Sequence, residues 1–518
     1  MVAVIGLEIQ SQLAHSGLVN SGLVPSRPPR RPPPSRRIGP RELTRLLGAW
    51  PSSTAPAYAA LAGRIRLVIL DGRLPVGVRL PPERELALTL GLSRTTVSAA
   101  FDVLRESGHA ASRQGSGTWT TLPTAGAPVP TWAPEPAPEG VLDLAHAAPG
   151  APPHLHAAYT AALEELPRYL PGTGYDYRGL VSLRERLAER FTERGLATTA
   201  DQVLVTSGAL QAVRLGLTLA AGAGDRVLVE QPGYPNGLDV VTDLGARLVP
   251  VPVDPTALTW DLDSLGSAAR QTSPTAAYLV PEFQNPTGAL MSGEVREQVA
   301  RTLDRSGTVA VVDETLVELA VDGLEMPPPL AVFAGRTPVV TVGSASKIAW
   351  GGLRMGWLRS DAATVARLAA LRSRQDLASP VLEQLALLHL LGELDDLRTY
   401  RVDQLRQGRD VLTGLLAAHL PDWRVVRPAG GQVLWCALPA PSASDLAAAA
   451  ADLGVRLTPG SRFAADGGLE SWVRLPFALP VDVLARAVPL VAQAWDVVTR
   501  RPAGGRRPAP DDDAAYVV

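Results

Sequence analysis

The sequence predicts an α/β protein with a small N-terminal unit of helices and a β-hairpin, followed by a much larger unit built on a mainly parallel sheet. Three observations support this fold class. Helical periodicity and then two glycines between strand-like flanks fill residues 58–120. Short apolar strands alternate with helices over residues 203–342, which is the rhythm of βαβ units. Between these regions, residues 123–140 are rich in proline and alanine and predict a semi-extended linker.

Bulk composition narrows the class of protein. A chain of 518 residues is too long for one core, and it contains no apolar run as long as a membrane span requires. Its start lacks the pattern of a secretory leader, and its single cysteine, Cys436, cannot form an internal disulfide. We therefore expect a cytoplasmic protein without a membrane partner, in which Cys436 is a small buried side chain in the strand-like run 432–438.

The same patterns give segment boundaries. Residues 1–40 and 501–518 show no sustained periodicity and are predicted to be disordered. We assign residues 41–121 to the small unit, 122–140 to the linker and 141–500 to the large unit. The main strands predicted in the large unit are 203–206, 226–229, 247–251, 276–280, 309–312 and 339–342.

Local start and stop residues define the helices of the small unit. Apolar residues recur at helical spacing over 58–70, and a glycine ends a second helix over 83–90. Ser93 is a suitable N-cap for a third helix over 94–106, and a hairpin follows over 109–120. This order of elements is that of a winged helix-turn-helix, in which the third helix enters the major groove of DNA.

The third helix carries side chains that suit such a role. Arg94, Thr95 and Thr96 lie near its start and are able to contact base edges and phosphates. Residues 58–120 contain eight arginines and five acidic residues, a modest positive balance. The alternative interpretation of these side chains is a capped helix followed by solvated polar residues.

Lysine usage is the sharpest compositional feature. Lysine and arginine together number 49, and Lys347 is the only lysine among them. A guanidinium group stays protonated, whereas a lysine amine can lose its proton and form a Schiff base. A lysine kept in a chain that otherwise uses arginine therefore predicts amine chemistry at Lys347, with chance survival as the alternative.

Residues near Lys347 suit a phosphate group. Ser344, Ser346 and Arg354 follow the strand 339–342 and supply hydroxyl and guanidinium donors. A second candidate is an upstream turn that ends one strand and opens a helix, where N–H groups and the helix dipole favour an anion. That turn consists of Ser207, Gly208, Ala209 and Leu210. Alone, such a turn is more often without a ligand.

A Schiff base with a pyridine aldehyde also needs an acid, a hydrogen-bond donor and an aromatic face. Asp313 ends an apolar strand and suits the ring nitrogen, and Asn285 in Gln-Asn-Pro-Thr-Gly suits the phenolic oxygen. Tyr234 offers the aromatic face, and Arg474 offers a bidentate contact for a carboxylate. Separately these residues are equally consistent with a cap, a turn, a core ring and an ion pair. Together, each at a strand end, they favour a cofactor site.

Four segments resemble the GntR family of bacterial regulators. They begin at Tyr58 (Tyr-Ala-Ala-Leu-Ala-Gly-Arg-Ile-Arg), Gly72 (Gly-Arg-Leu-Pro-Val-Gly-Val-Arg-Leu-Pro-Pro-Glu-Arg-Glu-Leu-Ala), Leu92 (Leu-Ser-Arg-Thr-Thr-Val) and Arg113 (Arg-Gln-Gly-Ser-Gly-Thr). The resemblance implies operator DNA as a partner and a wing over residues 113–117 at the minor groove. The residues it assigns to DNA are Arg84, Arg94, Thr95, Thr96, Arg113 and Gly115. Pro82 stands where the family usually has a serine.

Residues 141–500 resemble fold-type I pyridoxal phosphate enzymes, the aspartate aminotransferase superfamily, on the residues described around Lys347. The resemblance implies a mixed, mainly parallel seven-stranded sheet and a small α+β C-terminal subdomain. It implies that Lys347 forms the internal aldimine with pyridoxal 5′-phosphate. The further cofactor contacts that it implies are Asp313, Asn285, Ser344, Ser346, Arg354 and residues 207–210, with Arg474 for a substrate carboxylate.

Two other positions matter for this resemblance. Tyr175 looks like the tyrosine with which such proteins reach the phosphate of a neighbouring subunit, so a homodimer is implied. The family usually has a tyrosine two or three residues after the aspartate, where this chain has Thr315 and Leu316. We expect the missing phenolic donor to raise the pKa of the Schiff base, which a Thr315→Tyr variant tests.

A GntR-type head joined to an aminotransferase-type body is the architecture of the MocR subfamily, which the whole chain resembles. The resemblance implies a transcription regulator whose effector is an amino acid or pyridoxal phosphate itself. The competing hypothesis is an active aminotransferase with an autoregulatory DNA-binding head. A sensor of the cofactor level alone is the third.

Overall fold

The computed structural model describes residues 36–47, 57–70, 74–75, 77–106, 109–113, 117–121, 137–465 and 467–500. The segments predicted to be disordered therefore lie outside the described residues, except for residues 36–40 of the first. Most of the predicted linker, residues 122–136, also lies outside them.

We call the small N-terminal unit the head and the large unit the body. The head is a winged helix-turn-helix with a four-stranded sheet in the order β1-β2-β4-β3. Its elements are β1 (Arg36–Arg37), α1 (Pro40–Leu47), α2 (Ala57–Leu70), β2 (Val78–Arg79), α3 (Glu83–Leu90), α4 (Arg94–Glu106), β3 (Ala110–Arg113) and β4 (Gly117–Thr120). Strand β1 pairs in parallel with β2, so described structure begins before the boundary at residue 41 expected from the sequence.

Short-range physics accounts for the helices of the head. Gly91 ends α3 in the left-handed region at φ 66°, which a residue without a Cβ adopts at low cost. The Ser93 hydroxyl accepts a hydrogen bond from the Thr96 N–H at 3.1 Å and so caps the start of α4. Leu61 and Phe101 are buried where α2 and α4 pack together. The polar face of α4 therefore points away from this core.

The body alternates strands and helices. Its elements are β5 (Leu142–Asp143), α5 (His154–Glu165), α6 (Val181–Glu193), β6 (Val203–Thr206), α7 (Ala209–Ala220), β7 (Arg226–Gln231), α8 (Pro235–Asp243), β8 (Arg247–Asp254), β9 (Thr259–Trp260), α9 (Leu262–Thr272), β10 (Ala276–Leu279), α10 (Gly293–Ser306), β11 (Val309–Asp313), β12 (Val339–Ser344), β13 (Gly356–Arg359), α11 (Ala362–Arg372), α12 (Val381–Gly392), α13 (Leu394–His419), β14 (Arg424–Val425), β15 (Val433–Ala437), α14 (Ala443–Asp452), β16 (Val455–Arg456), β17 (Thr458–Pro459), β18 (Trp472–Pro476) and α15 (Val481–Arg500).

The main sheet has eight strands in the order β6-β13-β12-β11-β10-β7-β8-β9, not the seven that were expected. The additional strand is β9, which turns back on β8 and pairs with it antiparallel. Its Trp260 is buried and donates from Nε1 to Glu230 at 2.8 Å, which holds this two-residue strand in place. Strand β13 is also antiparallel, and strands β12, β11, β10, β7 and β8 run parallel to one another.

A smaller sheet in the order β14-β15-β18-β17 forms the C-terminal part of the body, as predicted. Cys436 on β15 is buried, also as predicted. Strand β5, the first of the body, pairs in parallel with β16 and so joins this C-terminal part. Among the described residues, no helix has both the length and the apolar character needed to traverse a bilayer.

Candidate cofactor and DNA sites

The sheet topology gathers the predicted site residues at one edge. Asp313 ends β11, Lys347 follows β12, Asn285 follows β10 and Tyr234 follows β7. These four strands are parallel neighbours or near neighbours, so their carboxyl ends meet at the same edge. That edge is where open α/β sheets bind ligands.

Lys347 is the amine at the centre of this edge. Its Nζ donates to the backbone oxygen of Ala147 at 3.1 Å. Burial, and then the positive charge of Arg474, lower the pKa of Lys347 to about 8, and Asp313 opposes this shift. The neutral, nucleophilic amine is therefore populated far more at neutral pH than for an ordinary lysine.

Asp313 is buried and hydrogen-bonded through both carboxylate oxygens. Oδ1 accepts from the Thr315 N–H at 3.1 Å, and Oδ2 accepts from the Tyr278 hydroxyl at 2.9 Å. Burial raises the pKa of Asp313, while these hydrogen bonds and Lys347 lower it. Thr315, which stands where the aminotransferase-like family usually has a tyrosine, thus donates its backbone N–H to the Asp313 carboxylate. Tyr278 was not predicted from the sequence.

Asn285 and Tyr234 complete the ring-binding side. The Asn285 Oδ1 atom is buried and has no hydrogen-bond partner within the described part of the chain. The Tyr234 hydroxyl accepts from Asn236 at 3.0 Å, and burial, followed by Asp313, raises the pKa of Tyr234 to about 12. A buried amide oxygen left without a partner is typical of a site that holds a polar ligand.

The residues predicted to bind a phosphate form a cup. Gly208 is the N-cap residue that precedes α7, with φ 97°, and a Cβ there would lie 2.5 Å from the Arg354 guanidinium. Arg354 also donates to the Ser207 backbone oxygen at 3.3 Å. The Ser344 hydroxyl accepts from the Ser346 N–H at 3.0 Å. Only glycine at position 208 lets the guanidinium approach the start of the helix so closely.

One predicted contact in the cup already has a protein partner. The Ser207 hydroxyl donates to the Asp376 carboxylate at 3.0 Å, and Gln211 donates to the same carboxylate at 2.6 Å. Arg372 anchors Asp376 at 2.9 Å. Asp376 belongs to no motif recognised in the sequence. Because it occupies the Ser207 hydroxyl, an anion at residues 207–210 relies mainly on N–H groups and Arg354.

Arg474 lies on β18 and is 3% exposed. It donates to the backbone oxygen of Ala145, and its Nε is buried without a partner among the described residues. Burial lowers the pKa of Arg474 to about 10. We call residues 143–147 the strap, because its carbonyls contact Arg474 through Ala145 and Lys347 through Ala147. Sequence reasoning missed the strap.

The residues at this edge fit pyridoxal phosphate. They offer an amine with a lowered pKa, an acid for the ring nitrogen, an amide and a glycine-lined anion cup. The unpartnered Nε–H of Arg474 is a donor for a bound carboxylate, and the unpartnered Oδ1 of Asn285 is an acceptor for a hydroxyl of such a ligand. This donor set differs from that of a mere structural ion-pair network, in which such atoms pair with each other.

The remaining predicted residues lie on surfaces. Arg84, Arg94 and Thr95 are exposed on α3 and α4, and Thr96 is half-buried beside the Ser93 cap. Arg113 belongs to β3, although its side chain is not described, and Gly115 lies outside the described residues. The side chain of Tyr175, between α5 and α6, is 59% exposed.

The chain is similar to known proteins in both of its parts. Residues 162–489 match the family "Aminotransferase class I and II", and residues 57–119 match "Bacterial regulatory proteins, gntR family". The uncharacterized HTH-type transcriptional regulator YdfD of Bacillus subtilis is 27% identical over 82% of this chain and 92% of its own length. The probable rhizopine catabolism regulatory protein MocR of Rhizobium meliloti is 28% identical over 72% of this chain and 79% of its own.

A solved structure resembles the body. LysN, an α-aminoadipate aminotransferase of Thermus thermophilus in complex with N-(5′-phosphopyridoxyl)-L-leucine, superposes with a TM-score of 0.64. It is 29% identical and covers 70% of this chain and 93% of its own. The fold of the body thus has a counterpart that was crystallised with a phosphopyridoxyl amino acid.

Proposed function

The chain belongs to the class I and II aminotransferase family and carries a gntR-family head as MocR does, and from this we propose that it is an amino-acid-responsive regulator. It is a DNA-binding transcription regulator of the GntR and MocR type, with pyridoxal phosphate as its cofactor. The response to an amino acid is the new element. The observation that carries it is the strap, whose carbonyls contact both the cofactor amine and the carboxylate-binding arginine.

We assign the cofactor contacts as follows. Lys347 holds the aldehyde carbon, Asp313 the ring nitrogen and Asn285 the phenolic oxygen, with Tyr234 against the ring. The phosphate contacts are Ser207, Gly208, Ala209, Leu210, Ser344, Ser346 and Arg354. Bound there, pyridoxal phosphate supplies an aldehyde that condenses with amines and a ring that withdraws electrons. The lowered pKa of Lys347 favours the neutral amine needed to hold it.

Arg474 is the proposed recognition group for the effector. A buried guanidinium whose Nε has no partner among the described residues is well suited to a carboxylate, because two parallel hydrogen bonds then replace one. Binding a carboxylate competes with the hydrogen bond that Arg474 donates to Ala145. Condensation of the Lys347 amine with the cofactor aldehyde would release water and leave at most one N–H on the nitrogen that donates to Ala147. Effector and cofactor therefore act on the same strap.

In the chain, the strap lies between the linker to the head and the rest of the body, so it is placed to transmit ligand binding to the head. Residues 137–142 precede it, and the predicted linker to the head precedes those. Strand β5 at its start pairs with β16, where Leu144 donates to Arg456 at 2.9 Å. A ligand that releases Ala145 and Ala147 shifts the balance between two positions of this segment, as differential binding requires. The linker then carries the change toward the DNA-binding head.

A homodimer is the proposed assembly. Apolar and aromatic side chains are exposed close together in the chain between the end of α5 and the start of α6, and patches of this kind mark interfaces. They are Leu163, Leu170, Tyr175, Tyr177 and Val181. Tyr175 of each subunit then reaches the phosphate of the other. Because the partner is chromosomal DNA, the cytoplasm is the expected location.

The DNA contacts are also assigned on the head. Arg84 and Arg94 contact phosphates and bases, Thr95 and Thr96 lie beside the bases, and a wing with Arg113 and Gly115 enters the minor groove. The proposed domain limits are 41–121 for the head and 141–500 for the body, with residues 36–40 added to the head on account of β1.

The test combines a cofactor readout with a DNA readout. Purified full-length protein is titrated with pyridoxal phosphate, trapped with borohydride and mapped, with label expected on Lys347 alone. Retardation of a fragment from upstream of its own gene is then measured against a panel of amino and keto acids. We expect Arg474→Ala to keep the cofactor absorbance and lose the amino-acid effect on DNA binding, whereas Arg500→Ala, an exposed control, keeps both.

The outcomes separate the hypotheses. Multiple turnovers of amino-group transfer, with no effect of amino acids on DNA binding, favour the active aminotransferase. A DNA response to the cofactor alone favours the sensor of cofactor level. Hydrogen exchange at residues 142–150 tests the relay, since the amino acid is expected to raise exchange there in the wild type and not in Arg474→Ala.

A further inference from the structure

The Asp313 carboxylate accepts a hydrogen bond from Tyr278 on the neighbouring strand β10, a residue that belongs to no recognised sequence motif. Strands β10 and β11 pair in parallel, with Tyr278 opposite Val311, two residues before Asp313. The Tyr278 hydroxyl donates to Asp313 Oδ2 at 2.9 Å, while Thr315 occupies Oδ1 through its N–H. Tyr278 and Thr315 therefore approach the two oxygens from two different elements.

The packing fixes the tyrosine in this orientation. Tyr278 is 2% exposed and lies in an apolar cluster with residues such as Val240 and Val342. On α8, Gly237 leaves the space that the ring fills, because a Cβ there would lie 2.2 Å from Tyr278 Cε1. Ring and hydroxyl thus have one position, set by the glycine on one side and the carboxylate on the other.

We propose that Tyr278 is a positioning residue that keeps Asp313 ionised and aimed at the ring nitrogen of pyridoxal phosphate. A buried carboxylate stays charged only when donors or cations compensate for its lost water. Burial and the Asp313 charge hold the pKa of Tyr278 well above its ordinary value, so the hydroxyl acts as a neutral donor. The proposal rests on the assignment of Asp313 to the ring nitrogen made above.

Other titratable groups surround Asp313 and need to be separated from Tyr278. Lys347 stabilises the charge of Asp313, whereas Glu230 and Tyr234 are negative or potentially negative neighbours. Glu230 is buried, and burial raises its pKa to about 8 even though three groups donate to it. If substitution of Tyr278 changes the protonation of the ring nitrogen while Glu230 is unchanged, the effect is that of the Tyr278 hydroxyl.

The experiment reads the protonation of the ring nitrogen directly. Full-length protein is loaded with ¹⁵N-labelled pyridoxal phosphate, and the nitrogen chemical shift distinguishes a protonated from a neutral pyridine. In Tyr278→Phe we expect the signal to move toward the neutral form and the cofactor affinity to fall about tenfold, the effect of losing a hydrogen bond to a charged group. Asp313→Asn marks the limit of complete loss.

A second variant and a control guard against a folding defect. Gly237→Ala displaces the ring of Tyr278, so the hydroxyl is retained but moved away from Asp313, and we expect the nitrogen signal to move in the same direction as in Tyr278→Phe. Tyr159→Phe, a tyrosine packed against a different core cluster, leaves the nitrogen unchanged. A wild-type nitrogen shift and affinity in both Tyr278→Phe and Gly237→Ala would overturn the proposal. Absence of any cofactor band in the wild type refutes the proposed function instead.

Discussion

The DNA face of the head and the cofactor edge of the body use charged side chains in opposite ways. In the head, Arg84, Arg94 and Thr95 are exposed, and the ion pair of Arg94 with Glu83 is long, at 3.9 Å. In the body, Asp313 and Arg474 are buried, and their charges alter the protonation of Lys347. Water screens the first set from one another, and the low dielectric of the interior couples the second.

This contrast determines how each region tolerates substitutions. Exposed groups act separately on an external ligand, so their substitutions alter binding and leave the fold intact. Buried groups compensate each other, so removing one leaves another charge without its partner. We therefore expect additive, salt-dependent effects in the head and coupled effects on stability and pKa in the body.

The largest expected effect concerns a buried ion pair of the body. Arg296 on α10 and Glu282 are both fully buried, with the Arg296 Nη1 and Glu282 Oε1 atoms 2.7 Å apart. Arg296→Met removes the direct ion-pair partner of the buried Glu282 carboxylate and leaves only the weaker influence of Arg194, and we expect the free energy of unfolding to fall by about 3–5 kcal/mol in urea titrations. Arg301→Met, on the same helix but exposed, is the control and is expected to change it by less than about 1 kcal/mol. Equal losses in the two variants contradict the comparison.

The next effect concerns the head. Arg94→Ala is expected to weaken operator binding by about 1–3 kcal/mol and to leave the thermal midpoint of the protein unchanged. Arg84→Ala is expected to weaken binding to specific and random DNA alike and to lower the salt slope by about one. Fluorescence anisotropy at several salt concentrations measures both. Strong non-additivity in the double variant argues against independent contacts.

The smallest effect is a pH dependence of the body. The pKa of Lys347 is lowered to about 8 from 10.5, so the neutral amine grows as pH rises. The rate of covalent capture of pyridoxal phosphate is expected to rise about tenfold per pH unit below 8 and to level off above it. In Arg474→Leu the midpoint moves upward, because a positive neighbour is removed. An unshifted midpoint means that the two charges are not coupled.

Stability follows the same linkage. Between pH 8 and 10.5 the unfolded state binds the Lys347 proton and the folded state does not, so this group makes the apoprotein more stable as pH rises through that window. Urea titrations at several pH values, compared with Lys347→Met, isolate this contribution.

The sequence allowed much of the fold to be predicted where the determinants are local. Helices α3 and α4 have the predicted bounds, because a left-handed glycine and a serine cap mark their ends. The strands that carry Asp313 and Lys347 were predicted because they are continuous apolar runs, as buried parallel strands are. The carboxyl-edge convergence then followed from topology alone.

The unpredicted parts depend on contacts between distant segments. Tyr278 meets Asp313 across 35 residues, and Ala147 meets Lys347 across 200. An alanine carbonyl carries no pattern, and a tyrosine within an apolar strand is indistinguishable from a core residue until the neighbouring strand is placed. The eighth strand, β9, was missed for a similar reason, because two residues carry no strand pattern and its stability comes from the contact of its buried Trp260 side chain with the distant Glu230.

The lone lysine has a practical consequence outside cofactor chemistry. Apart from the seven histidines, every other basic side chain is a guanidinium, so acylating dyes and amine-directed cross-linkers find a single side-chain primary amine, the partly enclosed Nζ beside the Ala147 carbonyl. Lysine acetylation, by the same reasoning, has one address in this chain. The extent to which such a reagent labels Lys347 therefore reports whether the pocket is filled, without any engineered tag.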